Sequence, residues 1–170
     1  MDRNTEVTLD QVHDGIVSTL QAQFPAVNVE AYRLDRKDLP LPSILVELTE
    51  MEVVPELDPG TGQLAVMATF EAQVVIGFRQ PGKNAKREIR NLAGALAAFA
   101  RLQRWGCKIG PAQVVGAYRD DFEPELDQYE VWRVEWQQVV HLGETVWKGG
   151  NPPPDTVFVS DGGEYGQIAP

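Results

Sequence analysis

Two apolar runs of strand composition, SILVELTEMEVV (Ser43–Val54) and QLAVMATFEAQVVIGF (Gln63–Phe78), stand on either side of the connector PELDPGTG. Both are far longer than the five or six residues of an ordinary strand. Asp-Pro-Gly followed by a second glycine is turn chemistry. Two such runs with so short a connection pair antiparallel, so whatever this chain becomes must be a sheet built around a long hairpin. The length of the runs further predicts that the hairpin projects beyond the body as a two-stranded arm. Its outer part carries the acids Glu47, Glu50, Glu52, Glu56 and Asp58.

The remaining elements follow from periodicity and caps. Thr8 with Gln11 three residues later is a capping box. Leu9, Val12, Ile16, Leu20 and Phe24 then recur at helical spacing, which predicts a helix over 9–23 that Pro25 stops. VNVEAYRL, from Val27, alternates with period two as a strand does, and RKDLPLPS is a proline-punctuated loop. Asn84 is suited to cap a second helix over 85–104, with Ile89, Leu92, Ala93, Leu96, Phe99 and Ala100 as its core stripe and Trp105-Gly106 as its end. AQVVGAYR (Ala112–Arg119) and YEVWRVEWQQVVHLG (Tyr129–Gly143) are two more strands around the acidic turn DDFEPELD. In the last strand Trp132, Val134 and Trp136 share the inward face, and Arg133, Glu135 and Gln137 the half-exposed one. The order α-β-β-β-α-β-β predicts an α+β fold, with a mainly antiparallel sheet and two helices on one face. Residues 1–145 form this single domain. Residues 146–170, with KGGNPPPD and several glycines, hold too little apolar surface to join the core and read as an extended C-terminal arm, in which TVFVS is able to add an edge strand to a neighbour.

Charge and composition exclude several classes. The net charge is −10 over 170 residues, against broad nucleic-acid or anionic-membrane binding. From Arg79 to Lys108, however, eight basic residues face one acid, a local +7 that leaves −17 for the rest. Such a segment is either a solvated helix face or one half of a contact with the acidic part of another copy. Cys107 is the only cysteine, so neither an intrachain disulfide nor a thiolate metal site is expected; beside Lys108, the thiol reads more simply as a small buried hydrophobe than as a nucleophile. No apolar run of membrane-spanning length is present, and MDRNTEVTLD lacks the basic and apolar regions of a signal peptide. His13 and His141 stand apart from any cysteine or carboxylate spacing, Ser18, Ser43 and Ser160 lie in no nucleophile elbow, and DDFEPELD does not have calcium-loop spacing. The expectation is a protein without catalysis, metal or cofactor.

One motif points the other way. GFRQPGKN (Gly77–Asn84) is one residue away from the phosphate-binding pattern G-x-x-x-x-G-K-[ST]. Asn84 replaces the magnesium-binding hydroxyl, Pro81 removes a backbone donor, and the preceding strand belongs to an antiparallel hairpin rather than a parallel crossover. The stretch reads as a strand-to-helix junction. It leaves Lys83, Lys86, Arg87 and Arg90 crowded at a helix N-terminus, where the macrodipole disfavours positive charge by a few tenths of a kcal/mol each.

The opening helix ending in FPAVNVEAYR, the LPSILVEL strand behind a proline-rich loop, the DPGTGQLAVMATFEAQVVIG hairpin, the alanine-rich helix and the closing YEVWRVEWQQVVHLGE strand together resemble the tail terminator proteins of long-tailed bacteriophages, over about residues 8–145. The resemblance implies a structural virion protein with no catalysis and no cofactor. It implies a ring of identical subunits, usually a hexamer, that caps the tail tube, stops tube protein from polymerising further and meets the head–tail connector. Its partners would be itself, the tail tube protein and the connector; DNA would only pass through the channel, whose acidic wall repels phosphates, and no membrane is involved. Such a protein belongs to the tail or neck of the virion and assembles in the host cytoplasm. On this reading Lys83, Lys86, Arg87 and Arg90 of one copy face the acidic strands (Glu47, Glu50, Glu52, Glu56, Asp58) of the next, a heterologous contact that closes if the rotation fits. The alternatives are a head-completion or joining protein of the neck and, from a different class, a small α+β ligand-binding or enzymatic domain.

Overall fold

The computed structural model describes residues 6–32, 39–58, 60–77, 84–120, 129–146, 157–160 and 165–168. The first helix, α1 (Leu9–Gln23), begins with the expected box: the Gln11 N–H donates to the Thr8 hydroxyl, and the Thr8 N–H donates to the Gln11 carboxamide oxygen. Val12, Ile16 and Leu20 are completely buried, each contributing about 1.5–3 kcal/mol by leaving water. They pack on β1 (Asn28–Ala31) and β2 (Ser43–Val53). Gln21 fastens the helix to the strand, donating to the Val27 carbonyl and accepting from the Val29 N–H. Phe24 closes against α2 (Ala85–Ala100) through an edge-to-face contact with Phe99, centroids 6.0 Å apart.

Five strands form one sheet in the order β1-β2-β3-β5-β4, with β3 at Leu64–Gly77, β4 at Gln113–Arg119 and β5 at Tyr129–Leu142. Every neighbouring pair is antiparallel except β1–β2, which is parallel, so the sheet is mixed. The predicted element order and the α+β class hold. Both helices cover the same face: Val12, Ile16 and Leu20 of α1 and Ile89, Ala93 and Leu96 of α2 meet the alternating inward residues Phe70, Ala72, Val74, Val134 and Trp136. Phe70 and Trp136 stack at 5.9 Å beneath them. The opposite face carries a smaller apolar cluster of Leu45, Val75 and Val131, on which Tyr32, Leu39 and Tyr129 pack, and mixes polar side chains with the Met67–Val139 pair elsewhere.

Two expectations are corrected, and one segment gains a partner. The hairpin is not a two-stranded arm: β5 is as long as β3 and runs beside all of it, from Gly77 opposite Tyr129 to Leu64 opposite Leu142, so the distal end is a three-stranded blade. The second helix stops at Ala100 rather than at residue 104. There Leu102 takes a left-handed φ of 66° and its N–H leaves the helix for the Ala112 carbonyl, while Ala112 returns an N–H to Gln103. The TVFVS segment contributes β6 (Val157–Ser160), which pairs antiparallel with β7 (Tyr165–Ile168) of the same chain in a separate two-stranded sheet; no strand was expected at the latter.

The connection 101–112 is held by one buried amide. Gln138, on the inward face of β5, is 1% exposed. Its oxygen accepts from the indole N–H groups of both Trp105 and Trp136, and its nitrogen donates to the carbonyls of Gln103 and Gly110. Trp105 in turn sets the height of α1, because a Cβ on Gly15 would lie 2.5 Å from the Trp105 carbonyl oxygen.

Two outcomes follow for urea denaturation. Gly15→Ala, which in an open helix gains about 1 kcal/mol, should lose 1–3 kcal/mol here through overpacking, by analogy with core insertions of about that cost. Gln138→Leu strands two indole donors and two carbonyls, and should cost roughly 3–5 kcal/mol at about 1–3 kcal/mol per stranded group after partial relaxation; stability equal to the parent chain would contradict the amide's role.

Candidate functional site

Charge, rather than a catalytic cluster, is what the structure segregates. Asn84 caps α2 by accepting from the Arg87 N–H at 3.2 Å. Lys86, Arg87 and Arg90 stand exposed on the first turns. Lys86 and Arg90, one turn apart, share a pocket of about 330 Å³ with Asn84, Arg119, Glu130 and Trp132. Arg119 comes from the end of β4 and the other two from the start of β5. Glu130 is 3% exposed and pairs with Arg119 at 3.6 Å through Oε2, while its Oε1 has no hydrogen-bond partner. Trp132 shares the inward parity of Val134 and Trp136, as predicted, but is only half-buried because it forms the pocket wall. Lys83 and the rest of the phosphate-loop-like stretch from residue 78 lie outside the described residues. The strand that leads into it is antiparallel to both neighbours, which is not the parallel setting that a phosphate loop requires.

The acids lie elsewhere. Glu47 opposes Glu71 and Glu71 opposes Glu135, so three carboxylates stand abreast across β2, β3 and β5 on the sheet face that no helix covers. Directly opposed like charges in neighbouring strands repel. Arg133 relieves part of this with an ion pair to Glu71 at 3.6 Å, and its guanidinium lies 5.8 Å from the centroid of the Tyr118 ring. Tyr118 folds back over Gly116, where any Cβ would collide with its hydroxyl. Burial raises the Glu71 pKa above the ordinary glutamate range; Arg133 pulls it down, and Glu135, Glu47 and Asp120 push it further up.

Beyond a bulge at Thr49, Glu50 and Glu52 continue this face and are exposed. Glu56 sits in a one-turn 3-10 helix, Pro55–Leu57, at the hairpin tip. Asp58 is engaged structurally: its Oδ1 accepts from the Gly60 and Thr61 N–H groups and from the Thr61 hydroxyl. The His141 ring nitrogen Nε2 meets the Leu57 carbonyl at 3.0 Å and ties the tip to β5. His13 is half-buried on α1, and the Cys107 thiol is pushed up by burial beside α1. Among the described residues no group of His, Cys, Asp or Glu could hold a metal ion, and no helix is long and apolar enough to cross a membrane.

The five acids therefore divide between the open face and the tip, and the basic end of α2 meets neither. The pocket adjoins the Gly77–Tyr129 end of the sheet and the tip adjoins the Leu64–Leu142 end. The twelve steps of β5 from Glu130 to Leu142 separate them by roughly 40 Å at about 3.4 Å per residue. Sequence reasoning missed Glu71, Arg133, Arg119 and Glu130. A glutamate at the centre of an apolar strand was the available signal for the first.

No family model and no curated protein matches the chain. The fold is similar to that of a solved structure, the sheath/tube terminator of the extracellular contractile injection system PVC in its extended state, with a TM-score of 0.51 and 12% sequence identity. The match covers 88% of this chain and 62% of that one, so this chain spans less than two thirds of the protein it resembles.

The Glu71 environment makes a signed prediction. A carboxylate whose folded-state pKa is raised binds its proton more tightly in the native state, so its charged form destabilises the fold as pH rises above the unfolded value of about 4.3. Glu71→Gln should match the parent chain near pH 4 and become the more stable of the two towards pH 7 in thermal melts. The opposite trend would mean that the Arg133 pair outweighs burial.

Proposed function

We propose that this chain is a structural tail terminator: it assembles into a ring of identical copies, a hexamer in the simplest closure, that sits on the end of a tail tube and stops its growth. The observation that carries the reading is the fold likeness to a sheath/tube terminator over most of this chain. The charge layout supports it independently. The basic start of α2 and the acidic hairpin tip stand at opposite ends of one sheet, so these two meet only between copies, and a contact of that head-to-tail kind closes into a ring when the rotation fits. The tube protein is the partner at one face of the ring. A head connector, or the corresponding upper part of an injection particle, is the partner at the other, and the net −10 charge lets DNA pass without adhering. No step of chemistry is assigned to the protein, and its place is in the assembled particle.

The reading is tested with the cognate tube protein. Adding this chain to polymerising tube should shorten the tubes in proportion to the amount added, with rings at tube ends in electron micrographs; tubes of unchanged length without end density would overturn it. In light scattering, the ring should dissociate as salt is raised well beyond physiological strength, where the screening length falls towards 3 Å. Lys86→Glu with Arg87→Glu and Arg90→Glu should weaken assembly about tenfold or more.

A further inference from the structure

We infer that the pocket at the start of α2 is a socket for the hairpin tip of a second copy of this chain, with Glu56 and Leu57 as the inserted residues. The inference rests on the ring reading above and names its contact. Among the described residues the pocket brings the cations Lys86 and Arg90 beside the Arg119–Glu130 ion pair. Its excess positive charge asks for an anionic group. The Glu130 side chain asks for something more specific: it is 3% exposed, its Oε2 has Arg119, and its enclosed Oε1 has nothing. A buried carboxylate oxygen left without a donor costs free energy that any N–H brought to it recovers. The occupant must therefore carry an acceptor and a donor side by side, next to a group that can lie on Trp132. A simple anion lacks the donor, and a simple cation is repelled by Lys86 and Arg90.

The hairpin tip has all three features. Glu56 is exposed, and its backbone N–H lies in the first turn of the 3-10 helix, where donors have no intrahelical acceptor. Leu57 beside it is 42% exposed, a large apolar side chain only partly covered at the hairpin tip. The Asp58 turn and the His141 contact hold the tip in shape before it meets anything, which limits the ordering cost of docking. Inserted, the Glu56 carboxylate would meet Lys86 and Arg90, its N–H would reach Glu130 Oε1, and Leu57 would cover Trp132. Because tip and socket lie about 40 Å apart on β5, no copy can fill its own socket. Each ring member gives one tip and takes one.

The test uses the whole chain. A zero-length carbodiimide cross-linker followed by mass spectrometry should give an intermolecular Lys86–Glu56 link. Glu56→Lys and Arg90→Glu should each weaken assembly about tenfold or more in light scattering, and the two changes in one chain should restore it to within about threefold, since the exchanged charges again attract. Circular dichroism checks that these exposed changes leave the fold intact. Rings that form without the cross-link and tolerate Glu56→Lys would overturn the socket while leaving the ring reading standing. Failure of the double exchange to restore what both single changes lose would also overturn it. A parent chain that stays a single copy with and without tube protein would overturn both.

Discussion

The amide of Gln138 is the point on which the helix-covered half of the protein turns. It is a polar group at an inward position, and it is tolerable there only because all of its hydrogen-bonding capacity is used: two indoles on its oxygen and two backbone carbonyls on its nitrogen. Those partners come from β5 itself and from the connection between α2 and β4. The amide therefore fixes where that connection lies, and with it the Trp105 carbonyl on which α1 rests at Gly15. Remove the amide and nothing apolar of its shape can hold two tryptophan nitrogens and two carbonyls at once. The covered face of the sheet is thus specified by polar geometry as much as by apolar burial.

The two faces of the sheet solve opposite problems. On the covered side, apolar residues alternate along β3 and β5 and are sealed by two helices. On the open side, three glutamates stand abreast, and Arg133 answers them through its pair with Glu71. A surface of this kind repels its own copy face to face.

What the residues announced in advance was local. The Thr8–Gln11 box, the Val12–Ile16–Leu20 repeat, the long hairpin with its Asp-Pro-Gly turn and the Asn84 cap are each written within a few residues, and each is present. What the sequence left open or misplaced has non-local causes. The alternation of β1 says strand but carries no direction, and its parallel pairing is decided by where the chain returns at Ser43. The helical pattern continues past Ala100, and it is the hydrogen bond of the Leu102 N–H to the carbonyl of the distant Ala112 that ends it. Lys86 and Arg90 were visible as a basic cluster, but their pocket is completed by Arg119 and Glu130 from two strands whose adjacency only the sheet order reveals. The acids of the hairpin were identified as a group, whereas the strand register separates them into a face and a tip.

The two bulges have a geometric consequence. Thr49 is an extra residue in β2 and Val115 an extra residue in β4, and both abut the row in which Phe70 stacks on Trp136. The strands between them, β3 and β5, run past each other without a break. A ribbon whose two margins are longer than its midline cannot lie flat: the surplus length at the rims bends it into a saddle, adding to the twist that every sheet already has. The stacked rings sit at the pass of that saddle. Each bulge bends its strand and adds to the local right-handed twist, so the change between the helix-covered half and the blade beyond the rings is concentrated at two single-residue insertions, one on each flank.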